Sequence, residues 1–276
     1  MNRTVRRVSY QFLCVFPFVN FALAAARPLR IPGVYQTVGV VWCAVFCAAA
    51  WILGARMIAA GPQEPRKLAT AGGLLLAPWL PVSLLWIGIG PPWVATPSEN
   101  LMRYCVLMAG SIVLMSGFVV VKDALNDAGE RLYSTLGLAA TMLAGPAYLI
   151  WSIYAIGFSV AKVRDGQVPA AFVALGDTLD VLLFVGGLLT YLATAAFAAS
   201  FGRARWLGRG ATRAYVIVNF VAALLLVARG LSFPDPKALS TPWYTQPGFI
   251  AGVPAIPWFM PSLLGVVLLR RAGDSA

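Results

Sequence analysis

Apolar residues gather along this chain into eight runs, at 8–26, 34–55, 68–90, 104–121, 132–161, 171–201, 212–228 and 248–269, and nearly every charged side chain sits in the breaks between them. A helix rising 1.5 Å per residue needs about 20 apolar residues to cross roughly 30 Å of hydrocarbon, so these runs predict membrane-spanning helices. The runs are continuous and lack the alternation in ten-residue segments that a membrane β-barrel imposes. An all-α, polytopic transmembrane helix bundle of eight spans follows. No linker separates soluble domains, and the longest break runs only from Arg229 to Pro247. Residues 1–276 therefore read as a single integral membrane domain.

The first run has a second reading. Arg3, Arg6 and Arg7 stand before an apolar stretch that ends Ala22-Leu23-Ala24-Ala25-Ala26. That order also describes a secretory leader with a small-residue cleavage site, and seven spans would then remain. The length of the stretch from Val8, with Gln11, Pro17 and Asn20 inside it, favours a retained first span.

Composition agrees with the pattern: 60% of residues are hydrophobic and 11% charged, which fits no soluble class. The net charge of +11 has an explanation in topology. With a cytoplasmic N-terminus, that side receives Arg3, Arg6, Arg7, Arg56, Arg66, Lys67, Lys122, Arg131, Arg203, Arg205, Arg209, Arg213, Arg270 and Arg271, fourteen of the 21 basic residues. The other side receives Arg27, Arg30, Arg103, Lys162, Arg164, Arg229 and Lys237. Basic residues near span ends are retained in the cytoplasm, so both termini are expected inside. The compact loops suggest a bacterial cytoplasmic (inner) membrane. Arg203 to Arg213 is expected to rest on anionic lipid headgroups. No single folded face collects the charge, so nucleic acid is not an expected partner.

Within lipid, helices associate through close approach of small residues. Gly39, Cys43 and Cys47 form such a ridge on the second span, and Gly186, Gly187, Ala195 and Ala199 form another on the sixth. The breaks Pro92-Trp93-Val94-Ala95-Thr96-Pro97 and Pro242-Trp243-Tyr244-Thr245-Gln246-Pro247 share one pattern 150 residues apart. A parallel four-plus-four repeat would place them so, although proline and tryptophan are frequent at membrane interfaces in any case. Pro254, Pro257 and Pro261 fall inside the last run and should kink or break it, beside Trp258. Pro78, Pro81 and Pro146 carry a weaker form of the same signal.

The chain contains no histidine. Histidine-ligated haem, di-iron and copper centres, the zinc-protease helix motif and the serine-histidine triad are excluded with it. Cys14, Cys43, Cys47 and Cys105 all lie in predicted spans, where small packing residues are the simplest reading and no disulfide framework is indicated. The last span has no lysine for a retinal Schiff base. No catalytic set, metal set or cofactor is expected.

What remains is acidic. Asp177 and Asp180 share a helix face near the start of the sixth span, where a carboxylate within the membrane costs about 2.5–3.5 kcal/mol and by default marks an ion or proton site. If the crossing begins nearer Leu179, both would instead sit at the outer interface. Arg103 and Arg229 are their expected partners by side. Asn20 and Asn219 are expected to bridge helices, and the stretch from Lys122 to Arg131 to form a self-paired polar surface. A transporter or channel-like protein for a small solute or ion, with a site open to the outer face, is favoured by the spans, the broken last run and the aspartates. A non-catalytic sensor or a subunit of a larger membrane complex, with a membrane-protein partner, is the alternative. An enzyme acting on a lipid or lipid-linked substrate is the second alternative. The residues singled out for ligand or ion binding are Asp177, Asp180, Arg229, Trp93, Trp243 and Trp258.

Overall fold

The computed structural model describes residues 3–26, 34–89, 92, 94–230 and 250–275, with the side chains of all of these except 21–26, 34–36, 86, 87 and 177. Helix α1 covers Arg3–Ala26 and α2 covers Val34–Ala50, which passes through a π turn, Trp51–Ala55, into the short α3, Met57–Ala60. Next come α4, Gln63–Leu76, and α5, Trp79–Ile89, then four long helices: α6 Pro97–Asp127, α7 Leu132–Asp165, α8 Ala170–Arg203 and α9 Arg209–Arg229. Two 3₁₀ turns, Ile250–Gly252 and Ile256–Trp258, lead into α10, Phe259–Asp274. The described residues contain helices and turns and no strand.

Among the described residues, six helices are long and apolar enough to cross a membrane: Thr37–Ala55, Gln63–Leu85, Pro97–Asp127, Leu132–Asp165, Ala170–Arg203 and Arg209–Arg229. The expected count of eight therefore stands at six by length and composition. α1 begins with three arginines in its first turns. The last expected span is not one helix at all. Its first half is the pair of 3₁₀ turns, because Pro254 and Pro257 remove backbone donors, and the 16 residues of α10 reach only about 24 Å.

α6, α7, α8 and α9 pack in chain order, α4 joins them through α6, and α10 inserts between α4, the π turn and α1. α10 is the most enclosed element, with Leu264, Val266, Leu268, Leu269 and Ala272 fully buried. Its contact with α4 is backbone to backbone. A Cβ on Gly72 would stand 2.8 Å from the Gly265 carbonyl oxygen, and one on Gly265 would stand 2.7 Å from that of Gly72. Glycine is required at both positions by this approach. The ridge expected on α2 does not pack: a Cβ on Gly39 would meet nothing within 4 Å, and Cys47 is exposed. That face is turned to the surroundings of the bundle. The glycines of α8 do pack, Gly186 against Tyr148 and Gly187 against Leu226 and Pro257.

Asn20 bridges helices as expected. Its amide donates to Ser83 Oγ at 2.9 Å, and Trp42 Nε1 donates to its Oδ1 at 2.7 Å, joining α1, α2 and α5. α1 also contributes Leu13 and Phe16 to the central core. Asn219, by contrast, donates to the Tyr215 carbonyl of its own helix at 2.8 Å, a local bond within α9.

The chain's two ends meet at one pole of the bundle. Arg6 pairs with Asp274 at 2.8 Å and donates to the Arg270 carbonyl at 2.6 Å. Lys67 pairs with Asp123 and Asp127 at 2.6 and 2.5 Å, so the stretch from Lys122 to Arg131 is tied to α4 as well as to itself. Arg203 lies over the Tyr133 ring and Arg271 over Trp206. These contacts gather the more basic set of loops at the terminal pole. The elements that would correspond in a four-plus-four repeat differ: the third is broken between α4 and α5 and largely buried, whereas α9 is continuous and largely exposed. Trp93 and Trp243 of the paired loops lie outside the described residues.

Candidate functional site

At the pole opposite the termini, the ends of α5, α6, α7 and α8 diverge around a cavity of about 440 Å³, with Pro254 and Ala255 of the broken segment against its side. The start of α6 is set by a capping box. Thr96 Oγ1 accepts from the Glu99 backbone N–H at 3.3 Å, and the Glu99 carboxylate accepts from the Thr96 backbone N–H at 2.7 Å. With the helix fixed there, Asn100, Arg103, Tyr104 and Leu107 fall at helical spacing on the cavity wall. The Asn100 amide donates to the Pro92 carbonyl at 2.8 Å and holds the loop before α6 beside the opening.

α7 supplies Trp151, Tyr154 and Phe158 from one stripe, with Ser159 and Lys162 beyond them toward the mouth. Tyr154 donates to the Phe172 carbonyl at 2.7 Å and stacks on that ring, which ties α7 to the first turns of α8. Tyr104 meets Trp151 edge to face at 5.6 Å, joining α6 to α7 across the wall. Lys162 is exposed at the rim and its ammonium lies 5.8 Å from the Phe158 ring centre.

α8 brings Asp180 into the wall, and the Trp151 indole N–H donates to its Oδ1 at 3.3 Å. Asp180 is also electrostatically coupled to Arg229 and to Tyr104. Arg103 is only 3% exposed although it borders the cavity, and it is coupled to Glu99 and Tyr104. Its depth follows from helix arithmetic. About 35 Å of helix separates Asp180 from Arg203, and about 29 Å separates Arg103 from Lys122, against roughly 30 Å of hydrocarbon. Each separation is close to the thickness of the hydrocarbon layer.

Below the cavity lies a layer of buried aromatic side chains. Trp258 is 1% exposed and meets the buried Tyr148 edge to face at 5.8 Å, while Gly110 of α6 leaves room for the indole: a Cβ there would stand 2.8 Å from it. The broken segment is anchored above this plug, since the Tyr191 hydroxyl donates to the Ala251 carbonyl at 2.9 Å. Arg229 crosses the same segment so closely that a methyl on Gly252 would overlap its guanidinium.

Of the residues singled out in the sequence, Asp180 stands in the cavity wall and Arg229 is coupled to it from behind the broken segment. Trp258 belongs to the packed floor and not to the wall. Asp177 lies one turn before Asp180 on α8, with its side chain outside the described set, and Trp93 and Trp243 are also outside it. Trp151, Tyr154, Tyr104 and Lys162 were not singled out. The signal for Trp151 and Tyr154 was their spacing with Phe158 along one face of an otherwise aliphatic run. Among the described residues no three metal-ligating side chains converge, and all four cysteines are free. Comparison with known proteins finds no matching family model, no similar curated protein and no similar solved structure.

Proposed function

We propose that this multi-pass membrane protein is a transporter that takes a small solute into the cavity at Asp180 and Arg103, from the outer face of a bacterial inner membrane. The observation that carries this reading is a cavity of ligand-binding size that holds charged side chains of both signs and lies above the buried pair Trp258 and Tyr148. A carrier in any one state offers its site to one face and seals it from the other. The cavity is bordered by two interrupted helices, α4–α5 and the segment before α10, and interrupted helices frame the binding sites of many transporters. The excess of basic residues at the terminal pole supports the outward direction of the opening.

The test is reconstitution into lipid vesicles, with uptake measured for labelled small carboxylic acids, amino acids and amines. Wild-type vesicles should accumulate at least one class above protein-free vesicles, and Asp180→Asn should lower that uptake by about tenfold or more, the scale of losing one charge-assisted hydrogen bond. Uptake unchanged by Asp180→Asn, or no uptake of any class, would contradict the proposal. Saturable binding without flux would turn the reading to a membrane sensor.

A further inference from the structure

We infer that Tyr148 and Trp258 form a gate on the solute's onward route, and that the unpartnered polar atom on each ring sets how often it parts. This rests on reading the cavity as the solute site of a transporter.

Three elements of the cavity wall lead directly into the layer beneath it. On α6, Leu107 borders the cavity, and Gly110, one turn deeper, faces the Trp258 indole. On α7, Trp151 borders it and Tyr148 lies one turn deeper; on the broken segment, Ala255 borders it and Trp258 follows one 3₁₀ turn later. A solute that leaves the cavity along these elements toward the terminal pole meets the two rings first. They are 2% and 1% exposed and meet edge to face.

Each ring carries a polar atom that the interior leaves unsatisfied. Among the described residues the Tyr148 hydroxyl and Trp258 Nε1 have no hydrogen-bond partner, although the Thr190 hydroxyl and the indole are both neighbours of the phenol. A buried donor without a partner raises the energy of the arrangement that buries it, and contact with water or a polar solute removes that cost. The buried arrangement is therefore favoured over a parted one by less than two wholly apolar rings would be. Trp258 also sits at a break in its helix. It ends the 3₁₀ turn Ile256–Trp258, where its N–H donates to the Ala255 carbonyl at 3.0 Å, and such interruptions serve as hinges. Opposite it, α6 presents a glycine, so no side chain at position 110 stands in the path of the indole.

Uptake into lipid vesicles would be measured with labelled benzoate, phenylalanine and benzylamine, one probe from each solute class. Tyr148→Phe removes only the hydroxyl, so the ring packing stays and the unsatisfied atom goes. For the probe that wild type accumulates, the maximal rate should fall about three- to tenfold while KM stays within about twofold, and the unfolding midpoint in detergent should hold or rise. Trp258→Phe, which removes the indole N–H, should also lower the maximal rate more than it alters KM. An unchanged maximal rate in Tyr148→Phe, with wild type transporting, would overturn the gate and leave the solute site standing. A loss carried by KM alone would overturn it too, because the pair would then belong to the binding site. Accumulation of none of the three probes by wild type would remove transport and the gate together.

Discussion

Charged side chains here are fixed by what they reach, and Glu130 is the clearest case outside the spanning segments. It lies between α6 and α7, is 6% exposed, and accepts the backbone N–H groups of Tyr133 and Ser134, both at 3.1 Å, which caps the start of α7. Burial alone would raise its pKa, but the hydrogen bonds from the Ser200 hydroxyl and from Tyr133 and Ser134 outweigh it and hold the carboxyl below its ordinary value. A carboxyl with a depressed folded-state pKa stabilises the fold above its unfolded value and loses that contribution as the pH falls through the folded one. Glu130→Gln should therefore cost about 1 kcal/mol at neutral pH, and the gap to wild type should narrow on acidification below the usual carboxylate range. Thermal unfolding in detergent at the two pH values checks this, and a gap that stays constant or widens would show that Glu130 does not act through its charge. At the other pole, Asp180 accepts the Trp151 indole N–H, and Arg103 lies buried beside the same cavity.

At the scale of elements, close approach decides which helices are central. Gly72→Ala or Gly265→Ala should destabilise the bundle by about 1–3 kcal/mol, because each methyl would stand under 3 Å from a carbonyl oxygen that cannot retreat. Gly39→Ala should be neutral or gain up to about 1 kcal/mol, since its Cβ enters open space in a helix interior. Equal losses in unfolding experiments on the three variants would contradict the packing of α4 on α10. Apolar runs alone could not distinguish these glycines. Run length marks where a helix is greasy, whereas the partner of each face is set by the tertiary arrangement. Ends were harder to read than interiors for a related reason. α6 starts at Pro97 and not near residue 104, because the polar capping box Thr96-Pro97-Ser98-Glu99 extends the helix beyond its apolar stretch. Pro254 and Pro257 did announce the break in the last run, whereas Pro261 sits in the first turn of α10. The position of Asp180, three turns into α8, was legible as a face shared with Asp177. Its neighbours Trp151 and Tyr104 come from helices whose alignment no single run reveals.

For the whole molecule, the two poles differ in kind. One gathers both termini, the Arg6–Asp274 and Lys67–Asp123 pairs and the basic loops, and the other opens into the cavity above the Trp258 plug. Outward placement of the cavity, with the basic pole inside, is the claim on which solute uptake depends. It is tested most directly by labelling intact cells with a membrane-impermeant maleimide, in a background lacking the four native cysteines. Lys162→Cys at the cavity rim should label in intact cells, and Arg205→Cys in the basic loop only after permeabilisation. Labelling of Arg205→Cys in intact cells, with Lys162→Cys protected until the membrane is opened, would contradict it.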